Sequence, residues 1–398
     1  MRRFPLEIQL KRIPSRRIFT PTWLALLLSA PSVLAAPRCE LSGAAWIEGR
    51  RVGSRSPAAR RVDLRSGETL QAFVAAPGKL NGRRVVFGDA GGPHRISWRG
   101  AGCPDVRIAW FTVEPRMQHE NTPAPNKELS VFANAQVFGP HHGRWIGYDK
   151  LEYFESPLPR HTGWTTPFTG ATPTEPRARL RAPSLLPLGV MRLKATLQLG
   201  RRAIATPGAR DAPSGLISDR VFRYTFRRDD TFLGWLTSYF NVPYLFGSAG
   251  KGARNQAERY LGADCADILV AALRRSGRRS LAYSSVGELV NSLRKVSGPV
   301  EIRPCDDTPA CAPPSSRLRF GSDVRPGDLL AMNYLGASEL PRAWDHIVAI
   351  VEDRGPEGHP ADGWLGPEDL AAETGSADGL KFSPLSSQGA IRVIVLRP

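Results

Sequence analysis

Short runs of β-branched and aromatic residues, separated by Gly, Pro and Arg-rich turns, limit the fold of this chain more than any other feature. Between residues 37 and 215 such runs recur without a long helical pattern between them, at 83–87, 106–113, 129–133 and 190–197. Strands at such short intervals are typical of a β-sandwich or barrel. We therefore predict an all-β region over 37–215, in one or two units, with the Pro, Thr and Arg-rich segment 165–187 as a linker or long loop.

The pattern changes after residue 215. Apolar residues in segment 230–240 follow a helical period, at Phe232, Trp235, Leu236, Tyr239 and Phe240. A second helical run begins at Cys265 and ends before Gly277, which places the thiol in the first turn. A turn that opens into an apolar strand follows at 325–331, and further candidate strands lie at 344–351, 369–374 and 390–396. Helices followed by a run of strands predict an α+β domain over 216–398, with an antiparallel sheet packed against the cysteine helix.

The N-terminal segment 1–36 has the pattern of a secretory signal peptide. A basic stretch precedes a short apolar run from Trp23 to Val33, and small residues follow at Ala35 and Ala36. The apolar run is shorter than the roughly 20 residues of a membrane span. We expect export to the periplasm, cell envelope or medium, with no stable membrane span after cleavage; an uncleaved anchor is the minor alternative.

The cysteine count is informative because export allows disulfides. The chain has five cysteines. Cys39 can pair with Cys103 and Cys305 with Cys311, which leaves Cys265 either hidden in a core or kept reduced for chemistry. The spacing of Cys305 and Cys311 does not fit a zinc site. The histidines at 119, 141, 142 and 161 have no ligand partners at diagnostic spacing, so we predict surface loops there and neither a metal nor another cofactor.

The chain is strongly basic, with a formal net charge of +17 over 398 residues. Arg residues are scattered rather than clustered, and no recognition-helix or zinc-finger pattern is present, so nucleic acid is not the expected partner. Two interpretations stay open. The charge either attracts an acidic cell envelope or simply forms a solvated surface.

Four fragments in the second half resemble the NlpC-type cell-wall cysteine peptidases, a branch of the papain-like fold. They stand in that family's order as Tyr244-Leu-Phe-Gly247, Asp264-Cys265, Pro326-Gly-Asp-Leu329 and Asp345-His346-Ile-Val-Ala-Ile350. The resemblance covers about residues 230–398 and implies a papain-like α+β domain there. The chain departs from the family in having Ala266-Asp267 after the cysteine, where Ser-Gly is usual.

The resemblance implies a catalytic set. Cys265 is the candidate nucleophile and His346 the candidate base, and Glu373 is the candidate third residue, with Thr374 as the neighbouring alternative. Tyr244 and Asp264 are the candidate substrate-binding residues. The backbone N–H of Cys265 is a candidate oxyanion donor.

The function implied is hydrolysis of amide bonds in peptidoglycan stem peptides. Peptidoglycan or its peptide fragments are then the expected partner, with an envelope protein as a further candidate. Two alternatives stay open. One is another amide or acyl-transfer chemistry on the same residues, including that of a secreted toxin. The other is an inactive domain that binds the cell wall or an envelope protein.

Overall fold

A computed structural model gives the fold. It describes residues 37–91, 95–98, 100–103, 106–115, 153–158, 168–170, 188–212, 217–245, 252–304, 318–336, 344–355, 361–375 and 379–398. Residues 37–398 form one compact unit. The predicted signal peptide, the strand at 129–133, the four histidines at 119, 141, 142 and 161, and the Cys305–Cys311 pair lie outside the described residues.

The first twelve strands belong to two sheets. The first sheet has the order β1-β4-β5-β6, with β2 and β9 also on β4, and the second has the order β3-β12-β10-β7-β8, with β11 also on β10. Their bounds are β1 Cys39–Leu41, β2 Trp46–Arg51, β3 Arg61–Arg65, β4 Leu70–Leu80, β5 Arg83–Gly88, β6 Arg95–Ile96, β7 Val106–Pro115, β8 Tyr153–Pro157, β9 Phe168–Gly170, β10 Gly189–Leu199, β11 Arg202–Ala205 and β12 Phe222–Arg227.

The helices and the third sheet follow. The α-helices of the described residues are α1 Phe232–Leu236, α2 Cys265–Arg275 and α3 Val286–Ser292, and 3-10 turns accompany them at Thr237–Tyr239, Gly252–Arg254, Ala257–Arg259 and Leu385–Gln388. The third sheet has the order β13-β19-β15-β16-β17-β18, with β14 also on β19. Its strands are β13 Arg294–Lys295, β14 Val300–Ile302, β15 Leu329–Tyr334, β16 His346–Glu352, β17 Leu370–Gly375, β18 Gly379–Pro384 and β19 Ile391–Arg397.

The first two sheets enclose one apolar core, to which Ile47, Val74 and Phe87 contribute from the first sheet and Trp110 and Tyr224 from the second. A disulfide joins Cys39 to Cys103 at its margin, as predicted, with the two Cα atoms 5.6 Å apart. Because the bridge spans 64 residues of sequence, it stabilises the fold by about 4 kcal/mol in the chain-entropy model.

Strand β10 takes part in two cores. Successive side chains of a strand point to opposite faces, so Met191 and Leu193 enter the core between the first two sheets. Val190 points the other way, into the core around helices α1 and α2. The backbone is also shared, since the Val190 N–H donates to the Phe240 carbonyl at 2.9 Å. Gly189 is required there: a Cβ atom would lie 2.6 Å from that carbonyl oxygen, and its φ is +100°.

Charged and aromatic groups cover the outer face of the second sheet where it meets the helices. The Arg227 guanidinium lies 4.0 Å from the ring centre of Trp235 in α1. The guanidinium of Arg223 lies 4.4 Å from the ring centre of Tyr260 and that of Arg275 lies 4.7 Å from it. Such cation–π contacts stabilise more when they are desolvated. Asp63 supplies a counter-charge and contacts both Arg223 and Arg275, at 3.5 and 3.3 Å.

The third sheet carries a second core against the helices. Helix α2 contributes Ile268 and Leu269, and the sheet contributes Ala331, Ile347 and Ala372. The opposite face of the sheet forms a separate core with Val348 and Ile350 from β16, Met332 from β15 and Val393 from β19.

The Pro-Gly-Asp turn that precedes β15 fastens three strands of this sheet. The Gly327 N–H donates to the Ile350 carbonyl of β16, and the Ile350 N–H donates back to the Asp328 carbonyl, both at 2.8 Å. The Asp328 carboxylate accepts two hydrogen bonds from Arg397 at the end of β19, at 2.8 and 2.6 Å. The motif therefore has a structural role next to the strand that begins at His346.

The predicted fold class is wrong. Of the described residues 45% are strand and 14% helix, arranged in three sheets, and not as an all-β region followed by a papain-like α+β domain. The individual strands at 83–87, 106–113, 190–197, 344–351, 369–374 and 390–396 and the helix at Cys265 are confirmed. Local sequence patterns predicted these elements. Because the two faces of β10 pack into two different cores, the structure shows no separate all-β region in the first half of the chain. The segment predicted as a linker contains β9, which pairs with β4.

Asp63→Asn should lower the free energy of unfolding by about 1–2 kcal/mol, because it removes the charge that compensates Arg223 and Arg275 while solvent screens the part of the carboxylate that stays exposed. Burial alone raises the pKa of Asp63, but the charges of Arg223 and Arg275 outweigh it and bring the pKa below its usual value. The carboxylate therefore stabilises the wild-type protein above about pH 4, and this contribution is lost as the pH falls further.

Urea unfolding at pH 7 and pH 3 measures both effects. The matched control is Glu40→Gln, which removes a carboxylate from an exposed pair with Arg38 and should cost less than about 1 kcal/mol. Equal losses in the two variants would contradict the role given to Asp63.

Candidate active site

The chain reaches Cys265 through a short paired segment. The Leu245 N–H donates to the Ala263 carbonyl and the Ala263 N–H donates to the Pro243 carbonyl, both at 3.1 Å. Tyr244 is thereby paired with Ala263, two residues before the thiol. Gly262 permits this approach, because a Cβ atom there would lie 2.0 Å from the Leu245 side chain. The predicted substrate-binding residue Tyr244 is thus placed beside Cys265.

Asp264 begins helix α2. Its carboxylate accepts a hydrogen bond from the Asp267 N–H at 2.8 Å, which satisfies one of the amide groups that have no partner within the helix. Cys265 is therefore the first helical residue, as the sequence predicts. The role of Asp264 visible in the structure is that of a helix cap, and its predicted contact with substrate stays a prediction.

The Cys265 sulfur is enclosed, with only 7% of the residue exposed. Backbone N–H groups of Ile347 and Ala266 donate to it, but burial and the neighbouring Asp264 carboxylate outweigh them and raise the pKa of the thiol well above its usual value. A position at a helix N-terminus would by itself lower the pKa of a thiol. Desolvation disfavours the thiolate more than two N–H groups and the helix dipole favour it.

His346 is the first residue of β16 and lies opposite Met332 of β15. Asp345 fixes this end of the strand, because its N–H donates to the Met332 carbonyl and its carboxylate accepts from the Tyr334 N–H, at 2.8 and 2.9 Å. The imidazole is buried, and burial lowers its pKa. The charge of Glu373 opposes this shift and that of Lys381 adds to it. The ring is accordingly neutral at pH 7.

Glu373 faces His346 from β17. Its Oε2 atom lies 3.9 Å from the imidazole Nε2 atom, within ion-pair range but beyond a hydrogen bond. Ser383 donates to Oε1, and the Lys381 ammonium lies 3.3 Å from the same oxygen. The Gln388 amide donates to Oε2. The buried carboxylate is thus well provided with donors.

The structure separates the two candidates for the third residue. Glu373 points toward His346, whereas the Thr374 hydroxyl is buried without a hydrogen-bond partner among the described residues. Adjacent residues of a strand face opposite sides of the sheet. Of the pair, only Glu373 has the geometry to orient the imidazole.

Sequence reasoning missed Tyr334. Its ring centre lies 6.5 Å from that of His346, with an angle of 18° between the ring planes. Burial raises the pKa of its phenol, and the charges of Glu373 and Cys265 raise it further, which places Tyr334 within electrostatic reach of both residues. Gln388, Ser383 and Lys381 were missed as well. For Ser383 and Lys381 the only sequence signal is the alternation of β18, which has no meaning for the site until its register with β17 is known. Gln388 lies in the following 3-10 turn and has no such signal.

Comparison with known proteins gives no relative. No family model, no curated protein and no solved structure matches this chain. In the described part of the chain no cluster of three or more His, Cys, Asp or Glu is arranged to hold a metal ion. Every helix there is also too short or too polar to cross a lipid bilayer.

Glu373→Gln should lower the pKa of His346 further, because the carboxylate is the largest influence that raises it. An NMR titration of the imidazole measures the shift. The matched control is Glu352→Gln, which removes an exposed carboxylate from the same strand as His346 and should leave that pKa unchanged. An unaltered pKa in Glu373→Gln would show that the two groups do not interact.

Cys265 should react with iodoacetamide more slowly than free cysteine at pH 7, because the buried thiol is protonated. Asp264→Asn keeps a side-chain oxygen for the helix cap and removes the nearby negative charge. Cys265 in this variant should react with iodoacetamide several-fold faster than in the wild-type protein. Mass spectrometry of the peptide that contains Cys265 follows the reaction. A wild-type rate above that of free cysteine would contradict the raised pKa.

Proposed function

We propose that this protein is a cysteine amidase, exported to the periplasm or cell envelope, that hydrolyses amide bonds in peptidoglycan stem peptides. Cys265 is the nucleophile, His346 the acid and base, and Glu373 the residue that orients the imidazole.

One observation carries the proposal. The Ile347 N–H donates to the Cys265 sulfur, so the thiol lies at the beginning of β16, beside the peptide unit that joins Ile347 to His346. On the neighbouring strand the Glu373 carboxylate lies 3.9 Å from the imidazole Nε2. A thiol beside the backbone of the histidine and a buried carboxylate facing the imidazole are two parts of the arrangement that nucleophilic catalysis requires.

The pKa shifts of Cys265 and His346 favour a neutral thiol and a neutral imidazole before the reaction begins. Burial raises the pKa of Cys265 and lowers that of His346. The proton then moves from sulfur to imidazole while the sulfur attacks the amide carbon, and no ion pair is formed beforehand. The imidazolium, stabilised by Glu373, gives this proton to the departing amine as the C–N bond breaks. Water then hydrolyses the thioester and regenerates the thiol.

The oxyanion of the tetrahedral intermediate needs donors. The Cys265 N–H lies in the first turn of helix α2, where amide groups have no acceptor within the helix. An oxyanion beside Cys265 would accept from this group and benefit from the positive end of the helix dipole.

The choice of substrate rests on two sequence observations. The ordered fragments around Tyr244, Cys265, Asp328 and His346 resemble those of peptidases that cut cell-wall peptides, and the net charge of +17 favours an anionic wall. The chemistry required of the substrate is an amide in a peptide stem with carboxylate groups nearby.

A second candidate function is supported by the burial of Cys265. A thiol that is 7% exposed and held protonated is also consistent with a non-catalytic domain that binds cell-wall peptides or an envelope protein. The two candidates differ in whether the bound peptide is cut.

The test is incubation of the protein, purified from the periplasm after expression of the full chain, with muropeptides from purified peptidoglycan. Mass spectrometry should show cleaved stem peptides, and Cys265→Ala and His346→Ala should each reduce the rate by at least about 1,000-fold. The control is Glu352→Gln, which should retain the wild-type rate.

Two outcomes oppose the amidase. Cleavage that persists in Cys265→Ala would exclude this nucleophile. Binding of muropeptides without cleavage, equal in the wild-type protein and in Cys265→Ala, would establish the binding protein instead.

A further inference from the structure

We infer that Gln388 is a positioning residue that holds His346 in its working orientation through Glu373 and Tyr334. This inference rests on the proposed function, since it gives Gln388 a role in the same site. Nothing in the sequence around Gln388 indicates such a role.

The Gln388 amide makes two contacts with different neighbours of the imidazole. Its Nε2 donates to Glu373 Oε2, which is the carboxylate oxygen 3.9 Å from the His346 Nε2 atom. Its Oε1 accepts from the Tyr334 hydroxyl at 3.2 Å. One side chain therefore joins the group at the edge of the imidazole to the ring that lies along its face.

Glu373 needs this donor to stay turned toward His346. Its other oxygen, Oε1, accepts from Ser383 and lies 3.3 Å from the Lys381 ammonium. These two partners attract the carboxylate to their own side, and Gln388 supplies the hydrogen bond on Oε2. Without it we expect the carboxylate to turn toward Ser383 and Lys381, away from the imidazole.

The contact between Gln388 and Tyr334 acts on the face of the His346 imidazole, whereas the contact with Glu373 acts on its edge. The phenol ring is nearly parallel to the imidazole, with the ring planes 18° apart. Its hydroxyl is fixed by Gln388 and its backbone N–H by Asp345, the residue before His346. A fixed phenol ring limits rotation of the imidazole on that side.

A primary amide suits the position because it donates and accepts at once at neutral pH. A Glu at 388 would still accept from Tyr334 but would present a second carboxylate to Glu373. Two carboxylates in contact do not both ionise easily. One pKa of the pair is therefore raised, and below that pKa the two groups share a proton. A Leu at 388 would offer neither contact.

The experiment compares Gln388→Leu and Gln388→Glu with wild type, using kcat and KM on muropeptides across pH and the NMR titration of His346. The charged or titratable groups around the imidazole are Glu373 on β17, Lys381 on β18, Asp345 at the start of β16 and Tyr334 on β15. Cys265 on α2 lies beside the backbone of β16. Ser386→Ala, in the same 3-10 turn, is the control and should match wild type.

Gln388→Leu should lower kcat by about 10- to 100-fold with little change in KM, because the base is misplaced while the substrate site is intact. It should also lower the pKa of His346 by about half a unit as Glu373 recedes. In Gln388→Glu the shared proton restores the contact with Glu373 at low pH. The ratio of its kcat to that of Gln388→Leu should therefore rise as the pH falls.

If Gln388 had a purely structural role, the ratio of the kcat of Gln388→Glu to that of Gln388→Leu would not change with pH, and the pKa of His346 would be unchanged. This result would overturn the inference. An equal loss in Ser386→Ala does so too. The NMR arm does not depend on turnover. If the wild-type protein cuts no muropeptide but the His346 pKa still shifts in Gln388→Leu, the proposed function fails while the positioning role stands.

Discussion

The double use of strand β10 is the constraint on which the rest of the structure depends. Because its side chains alternate, Met191 and Leu193 belong to the core between the first two sheets, while Val190 belongs to the core around α1 and α2. Arg192, on the same side as Val190, donates to the Tyr260 carbonyl in the approach to the cysteine helix. The β-rich half of the chain is therefore the support on which Cys265 is positioned.

Burial also governs the chemistry of the site. The removal of water raises the pKa of Cys265 and lowers that of His346, so that both groups are neutral, even though the sulfur has N–H donors and a helix N-terminus beside it. The buried Glu373 carboxylate is compensated by donors from Ser383, Gln388 and Lys381. A site of this kind moves its proton during the reaction, and the positions of the imidazole and the carboxylate decide its rate.

Much of the local structure could be predicted from the sequence. Period and end signals located α2 and the strands at 346–352, 370–375 and 391–397, because these depend on neighbours along the chain. The division into an all-β region and a papain-like domain was wrong, because local patterns do not show that β10 serves two cores. In the site, Cys265 and His346 were named from short motifs, and Glu373 or Thr374 from a place on the strand after His346. Tyr334 and Gln388 carry no motif and were missed.

The sequence by itself determined that a thiol begins a helix and that a histidine lies in an apolar strand. It showed that Cys39 can pair with Cys103, and the tertiary structure joins the two. Tertiary structure alone decided which face of β17 meets His346, and hence that Glu373 rather than Thr374 lies beside it. It also decided the protonation of the thiol. The physical reason is that register and desolvation arise from residues distant in the chain, and no local pattern contains them.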